Sequence, residues 1–196
     1  MKTTKKLLVG GAMLAFSAVS YGQVTLSGEV RPRMEYRHGY KTLADSNQNH
    51  AAFTNQRSRL NFDYKDDGYR VKLVLQDVRV WGSQPQLIGN FGQLNPSGAF
   101  TGIHEAWGQA FINNNWSLKA GRQEIVYDDH RIFGSVGWAQ QARSHDAVMI
   151  KYEKDGMKLD IAGAFNQDKA GLAGTSASMG SYKAFQSIWF HKGFGD

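Results

Sequence analysis

The sequence predicts an all-β protein, an antiparallel transmembrane β-barrel whose strands follow one another in chain order. Three observations carry that expectation. Side chains alternate between apolar and polar over runs long enough to cross a bilayer. The segments joining these runs alternate strictly between long and short. The chain also opens on a stretch with the layout of an export signal.

That opening stretch comes first. Met1-Lys2-Thr3-Thr4-Lys5-Lys6 is basic, Leu7 to Val19 is a short apolar core, and Ser20-Tyr21-Gly22 supplies small residues where a signal peptidase reads. The apolar run is shorter than the roughly 17–25 residues of a spanning helix. Residues 1–22 are therefore expected to be a signal peptide, and 23–196 one barrel domain. Without Lys2, Lys5 and Lys6, the 23 basic residues fall to 20 against 17 acidic ones. No basic cluster with interleaved aromatics remains, so a nucleic-acid partner is not expected. The absence of cysteine removes disulfides, thiolate metal sites and cysteine nucleophiles together. A mean hydropathy of −0.47 is what alternation produces, because lipid-facing and water-facing residues cancel.

In the first strand Val24, Leu26, Gly28, Val30, Pro32, Met34 and Tyr36 share one face, and Thr25, Ser27, Glu29, Arg31, Arg33, Glu35 and Arg37 the other. His38 to Thr54 reads as a polar loop. Asn55 to Lys65 is the second strand, with Ser58, Leu60, Phe62 and Tyr64 opposed to Arg57, Arg59, Asn61, Asp63 and Lys65. Asp66-Asp67-Gly68 is a tight hairpin signal. Tyr69, Val71, Leu73 and Leu75 then alternate with Arg70, Lys72 and Gln76, and a change of parity after Gln76 suggests a bulge. A long loop from Trp81 to Gly102 precedes a strand from Ile103 to Ile112 whose faces the alternation does not orient. Asn113-Asn114-Asn115 makes a short turn, Trp116 to Tyr127 a strand, and Asp128 to His145 a long loop. Asp146 to Lys154 and Met157 to Phe165 flank a second tight turn at Asp155-Gly156. A glycine- and serine-rich loop from Asp168 to Ser181 leads to the last strand, Tyr182 to Lys192.

Runs of about 9–14 residues suffice for tilted strands that need about 9–11 to cross. Short turns at one end and long loops at the other are the arrangement of outer-membrane barrels, whereas a soluble sandwich mixes lengths at both ends. A charge facing lipid costs about 2–4 kcal/mol near the midplane. Arg31, Arg33, Arg57, Arg59, Arg70, Lys72 and Lys158 are therefore expected to point inward and the aliphatic residues outward, with Tyr36, Tyr64, Tyr69, Trp116, Tyr152 and Tyr182 in interfacial girdles. An eight-stranded lumen holds little more than side chains. The inward carboxylates Glu29, Glu35, Asp63 and Asp160 are fewer than the inward cations. The expectation is thus a meander of about eight strands belonging to a larger barrel of about 16–18 strands, with a complete small barrel as the alternative.

Inward arginines admit two readings, ion pairing within a wet wall or a surface that selects anions. The row Arg31/Arg33 beside Arg57/Arg59 favours the second.

One ordered run carries a resemblance. It comprises Gly121-Arg122-Gln123-Glu124, Tyr127-Asp128-Asp129, Arg131-Ile132-Phe133-Gly134, Trp138 and Arg143-Ser144-His145-Asp146-Ala147. Gly28-Glu29-Val30-Arg31-Pro32-Arg33, Gln56-Arg57-Ser58-Arg59-Leu60 and Leu75-Gln76-Asp77-Val78-Arg79 add to it. Together they resemble the alginate export family of outer-membrane β-barrel porins of Gram-negative bacteria. The resemblance implies an arginine-lined pore for an anionic solute or polysaccharide, with no catalysis and no cofactor, set among outer-membrane lipid. Arg122 would line the pore, and Arg131 and Arg143 would enter from the loop. Strict counting conflicts with this, placing Arg122 on the face of Trp116, Leu118 and Ala120. A bulge at Gly121 would turn it inward.

Other clusters are weaker signals. Asp128-Asp129-His130 has oxygen donors suited to Ca²⁺, but matches no EF-hand and reads as a solvated turn. His104-Glu105 lacks a nucleophile elbow, and Gly171-Leu172-Ala173-Gly174 lacks the context of a phosphate loop. A barrel enzyme such as a lipid hydrolase, and a secreted carbohydrate-binding sandwich, are the competing classes.

Overall fold

The computed structural model describes residues 23–84, 100–176 and 182–193. The export signal expected over residues 1–22 lies outside them. Eight strands appear: β1 (Gln23–Arg37), β2 (Ala51–Lys65), β3 (Tyr69–Val80), β4 (Phe100–Phe111), β5 (Trp116–Gln123), β6 (His145–Lys154), β7 (Met157–Phe165) and β8 (Ala184–Lys192). They form one sheet in the order β1 to β8, every neighbouring pair antiparallel. No described residue is helical. The protein is therefore an all-β antiparallel meander. The sheet is open, with β1 and β8 each paired on one side only.

The short connections fold on local chemistry. Asp66 accepts hydrogen bonds from the backbone N–H of Gly68 (2.8 Å) and Tyr69 (2.9 Å), which closes the β2–β3 hairpin. The N–H of Tyr69, followed by that of Gly68 and by the Tyr64 hydroxyl, holds the Asp66 carboxyl below its ordinary pKa. Asn113 does the same work between β4 and β5, accepting from the N–H of Asn115 and Trp116. Asp155 and Gly156 both take positive φ (49° and 73°), the backbone of a two-residue turn whose twist matches its strands.

The pleat sorts the side chains onto two faces. On the outer face Leu26, Phe62, Leu73 and Ala106 lie directly opposite one another from strand to strand, as do Leu118, Ile150, Ile161 and Ile188. These large residues are exposed: Met34 is 75% accessible, Val30 72% and Ile188 73%. Tyr64–Tyr69 (centroids 5.4 Å apart) and Trp116–Tyr152 (4.7 Å) lie on the same face at the short-turn ends. Tyr182 departs from the expected girdle. It packs with His145 and Phe185 on the inner face.

The inner face carries the charged residues and the buried cluster. Ile125, Ala147, Met149, Ala162 and Ala164 are buried together, packed by Tyr127, Phe133, Tyr182 and Phe185. Arg31, Arg33, Arg57, Arg59, Arg70, Lys72 and Lys158 all fall on this face by register, as the alternation predicts.

Several expected boundaries shift. β2 begins at Ala51 rather than Asn55, and β5 ends at Gln123 rather than Tyr127. The bulge expected after Gln76 is absent. Val74, Gln76 and Val78 stay buried on one face, while Asp77 and Arg79 occupy the other as an ion pair. The irregularity lies in the partner strand instead. Val74 opposes Glu105 and Leu75 opposes Ile103, leaving His104 as the extra residue of β4. That is why the alternation of β4 could not be oriented from sequence. Two consecutive residues, His104 (4% accessible) and Glu105 (5%), are both buried.

Candidate functional site on the inner face

The segment 124–144 between β5 and β6 does not stand clear of the sheet. It folds across the inner face and is tied there by side chains of β1, β2 and β3. Arg31 donates from Nη1 to the carbonyl of Gly137 (2.6 Å), and from Nη2 to Ala139 O and Gln140 Oε1 (both 3.0 Å). Arg33 donates to Trp138 O at 2.8 Å, and Gln76 to Gln141 O at 2.9 Å. Arg57, only 5% accessible, makes longer contacts to the carbonyls of Gly137 and Ala139 while pairing with Glu29 at 2.7 Å. The segment closes on itself through Arg143 N–H to Ser135 O (2.7 Å) and Ala139 N–H to Val136 O (2.9 Å). Val136 holds φ at 51°, a left-handed conformation that a β-branched residue rarely adopts. The surrounding bonds therefore impose the loop's shape.

Below the loop lies a polar knot built on the β4 bulge. His104 Nε2 lies 2.7 Å from Glu124 Oε1, and Arg59 Nη1 lies 3.8 Å from the same carboxylate. Glu105 accepts from Lys72 Nζ (2.6 Å) and from the indole of Trp107 (2.8 Å). Lys119 sits over the Trp107 ring at 3.9 Å, and the Arg70 guanidinium lies 5.4 Å from it. Neither Arg31 nor Lys119 has an ion-pair partner among the described residues. Because buried charge is tolerated only when hydrogen-bonded or paired, most of this lattice neutralises itself and the surplus is positive.

An aromatic shelf borders the knot on the β8 side. Tyr127 stacks on Trp189 (centroids 4.6 Å, planes 11° apart) and donates to Asp160 at 2.8 Å. Burial, with the Asp160 carboxylate added, raises the Tyr127 phenol well above its ordinary pKa, so it remains a donor. Trp189 donates to Asp128 at 3.0 Å.

The residues expected to form the site separate into three groups. Arg31, Arg33, Arg57 and Arg59 do gather, but as the anchors of a loop rather than as a free basic row. Arg70 and Lys72 face inward and are engaged, Arg70 by Asp63 at 2.9 and 2.5 Å. Arg122 is not brought in, whereas Arg131 and Arg143 lie on the 124–144 segment itself. Gly121 has φ of 122° yet causes no register shift, so Arg122 stays on the outer face and pairs there with Asp146 at 2.9 Å. Arg131 is among the most exposed side chains and pairs with Asp129, and Arg143 is exposed. The Asp128-Asp129-His130 oxygens diverge, Asp128 toward Trp189 and Asp129 toward Arg131. Lys119 and Gln140 belong to the site and were not singled out from sequence, while Glu105 was weighed only as half of a catalytic pair with His104 and Glu124 only as part of the run that carries the resemblance. Strand parity alone would have placed Lys119 inward, whereas Gln140 carries no sequence signal.

The tether has a measurable consequence. Arg31→Ala removes three bonds to residues 137–140. Arg57 still reaches the carbonyls of Gly137 and Ala139, so the net loss should be about 1.5–3 kcal/mol, the worth of one bond to a charged group, and amide exchange across 135–141 should accelerate roughly 10- to 150-fold while the β-strand amides hold. Equal acceleration throughout the sheet would mean that Arg31 supports the fold rather than the loop. Comparison with known proteins finds no matching family model, no matching curated protein and no matching solved structure.

Proposed function

We propose that this chain forms wall strands of an outer-membrane β-barrel porin, which passes anionic solutes, of carbohydrate type, across a basic inner face narrowed by the segment 124–144. The observation that carries the reading is the sorting of the two faces. The outer one carries exposed Leu, Ile, Val, Phe or Met on every strand, interrupted by the Asp77–Arg79 and Arg122–Asp146 pairs, and exposed apolar side chains so contiguous mark a surface made to meet a partner or a membrane. The inner one is a lattice of charge.

Other features support it. Directly opposed residues run from Val24 through Tyr64, Val71, Gly108, Ala120, Val148 and Gly163 to Gln186, near the Ala184 end of β8 rather than at its Lys192 end. Such stagger belongs to tilted strands of the kind that close into barrels. Hydrocarbon cannot satisfy unpaired strand edges, so β1 and β8 would each pair with further strands of a larger barrel. The aromatic pairs at the short-turn ends sit where an interfacial girdle would. Unpaired Arg31 and Lys119 favour anions, and the resemblance of residues 121–134 to the alginate export family suggests an anionic carbohydrate. Stacking on Tyr127 and Trp189 suits sugar rings.

Spin labels at Leu60 and Phe62 in reconstituted protein should report lipid, and the unheated protein should migrate anomalously on gels. Planar bilayers under a salt gradient should give reversal potentials of anion preference. Labels that report water, or a protein freely soluble without detergent, would rule the reading out in favour of a secreted sandwich. A cation-selective current would remove the anionic cargo and leave the barrel.

A further inference from the structure

We infer, building on the membrane reading of the outer face, that this face holds one phospholipid with a phosphoethanolamine headgroup. Its acyl chain lies in a groove over Gly163 and its headgroup on the Arg122–Asp146 pair. The groove is open, with a volume of about 540 Å³, and is lined by Val148, Ile150, Ile161, Gly163, Gln186 and Ile188.

Register makes the groove. Gly163 lies directly opposite Val148 on β6 and Gln186 on β8. Ile150, Ile161 and Ile188 form the next cross-strand row on the same face and are exposed. A Cβ built on Gly163 would meet nothing within 4 Å. A missing side chain among branched neighbours thus leaves a hollow whose walls are apolar apart from Gln186.

Charge stands at one end of it only. Asp146 precedes Val148 by two residues on β6, so it lies on the same face about 7 Å nearer the long-loop end. Arg122 is directly opposite Asp146, as Ala120 is opposite Val148. Arg122 donates from Nη1 to Asp146 (2.9 Å) and from Nε to the carbonyl of Ile103 (3.1 Å), and its Nη2 has no partner among the described residues. The Arg122 and Asp146 side chains are 42% and 61% accessible.

An exposed ion pair contributes little by itself, and charge turned toward lipid is costly. A zwitterionic headgroup answers both members of the pair, its phosphate accepting from Arg122 Nη2 and its ammonium donating to the Asp146 carboxylate. A trimethylammonium group has no N–H to give Asp146, and a glycerol headgroup has no cation. Direction agrees with this occupant. From the charged pair the groove runs to Ile161, midway along β7, which sets the headgroup toward the long loops and the chain toward the middle of the sheet. A protein side chain would fill the hollow and leave the pair unanswered.

The full-length protein in detergent, offered equal amounts of dioleoyl phosphatidylethanolamine, phosphatidylcholine and phosphatidylglycerol, should retain one phosphatidylethanolamine in native mass spectrometry. Its excess over phosphatidylcholine should be about ten-fold, the worth of one charge-assisted hydrogen bond. Gly163→Leu fills the hollow without a clash and should abolish retention. Gly108→Leu, equally open but outside the groove, should leave retention intact. Asp146→Asn should bring phosphatidylethanolamine down to the phosphatidylcholine level. No retained lipid, equal retention of the three, retention that survives Gly163→Leu, or a preference unmoved by Asp146→Asn would each overturn the site. Spin labels at Leu60 and Phe62 keep the two readings apart. Labels that report lipid beside a protein retaining no phosphatidylethanolamine would sink the site alone, and labels that report water would sink the membrane reading with it.

Discussion

Gly121→Ala is expected to destabilise the sheet by about 3–5 kcal/mol, combining the cost of a left-handed non-glycine residue with that of overpacking. Gly121 combines two constraints. Its φ of 122° is one that side chains bearing a Cβ rarely adopt, and a Cβ built there would lie 2.3 Å from the Ala106 carbonyl oxygen and 2.8 Å from Trp107 Cα. Both contacts are backbone, so neither neighbour can swing away. Trp107 sits directly opposite Gly121 on β4 and is buried, its indole bonded to Glu105 and covered by Lys119. Glycine opposite a large aromatic is a recurrent device for fixing strand register. Displacing the β4–β5 ladder there would disturb Glu105 and Lys72 with it. Gly108 on β4 provides the control. It has no atom within 4 Å of a built Cβ and no positive φ, so Gly108→Ala should change stability by no more than about 1 kcal/mol. Urea unfolding of the two variants separates the explanations. Equal, small effects would mean that the conformation of Gly121 is relaxed at no cost.

Most of the fold was legible because each strand residue meets only one of two surroundings. Val24 to Arg37 sort without a slip, and so do Arg57 to Lys65 and Met157 to Phe165, which is why the inward placement of Arg31, Arg33, Arg57, Arg59, Arg70 and Lys72 could be read from parity. The failures have physical causes. Asp77 and Arg79 neutralise each other on the outer face, so their polarity reported a pair and not a change of face. His104 is the extra residue of a bulge, and a bulge is defined by its partner strand, in this case Leu75 and Val74. What the arginines do was the least legible of all. Arg31 and Arg33 spend their donors on the carbonyls of Gly137, Trp138 and Ala139. A backbone acceptor has no sequence signature, so a row of cations reads as a selective surface even where it is a set of anchors. For Arg122 the simple count was right, and the turn inward that the resemblance implied did not follow from the unusual φ of Gly121.

The second large effect concerns the outer face, and it depends on what that face meets. Ile161 sits midway along β7, exposed, with Ile150 and Ile188 directly opposite on its two neighbours. If hydrocarbon surrounds it, Ile161→Arg places a guanidinium near the bilayer midplane at a cost of about 2–4 kcal/mol. If water does, an exposed substitution of this kind changes stability by only about 0.5 kcal/mol in either direction. The same replacement at Met157, on the same face but at the turn end of β7, should cost only about 0–1 kcal/mol in lipid, because the charge can reach the headgroups. Equilibrium folding of both variants into phospholipid vesicles therefore reads a depth profile rather than a single number. A large loss at Ile161 with a small one at Met157 is the pattern of strands that cross a membrane. Small and equal losses would place the face in water, and the exposed rows of Leu118, Ile150, Ile161 and Ile188 would then have to be covered by protein instead.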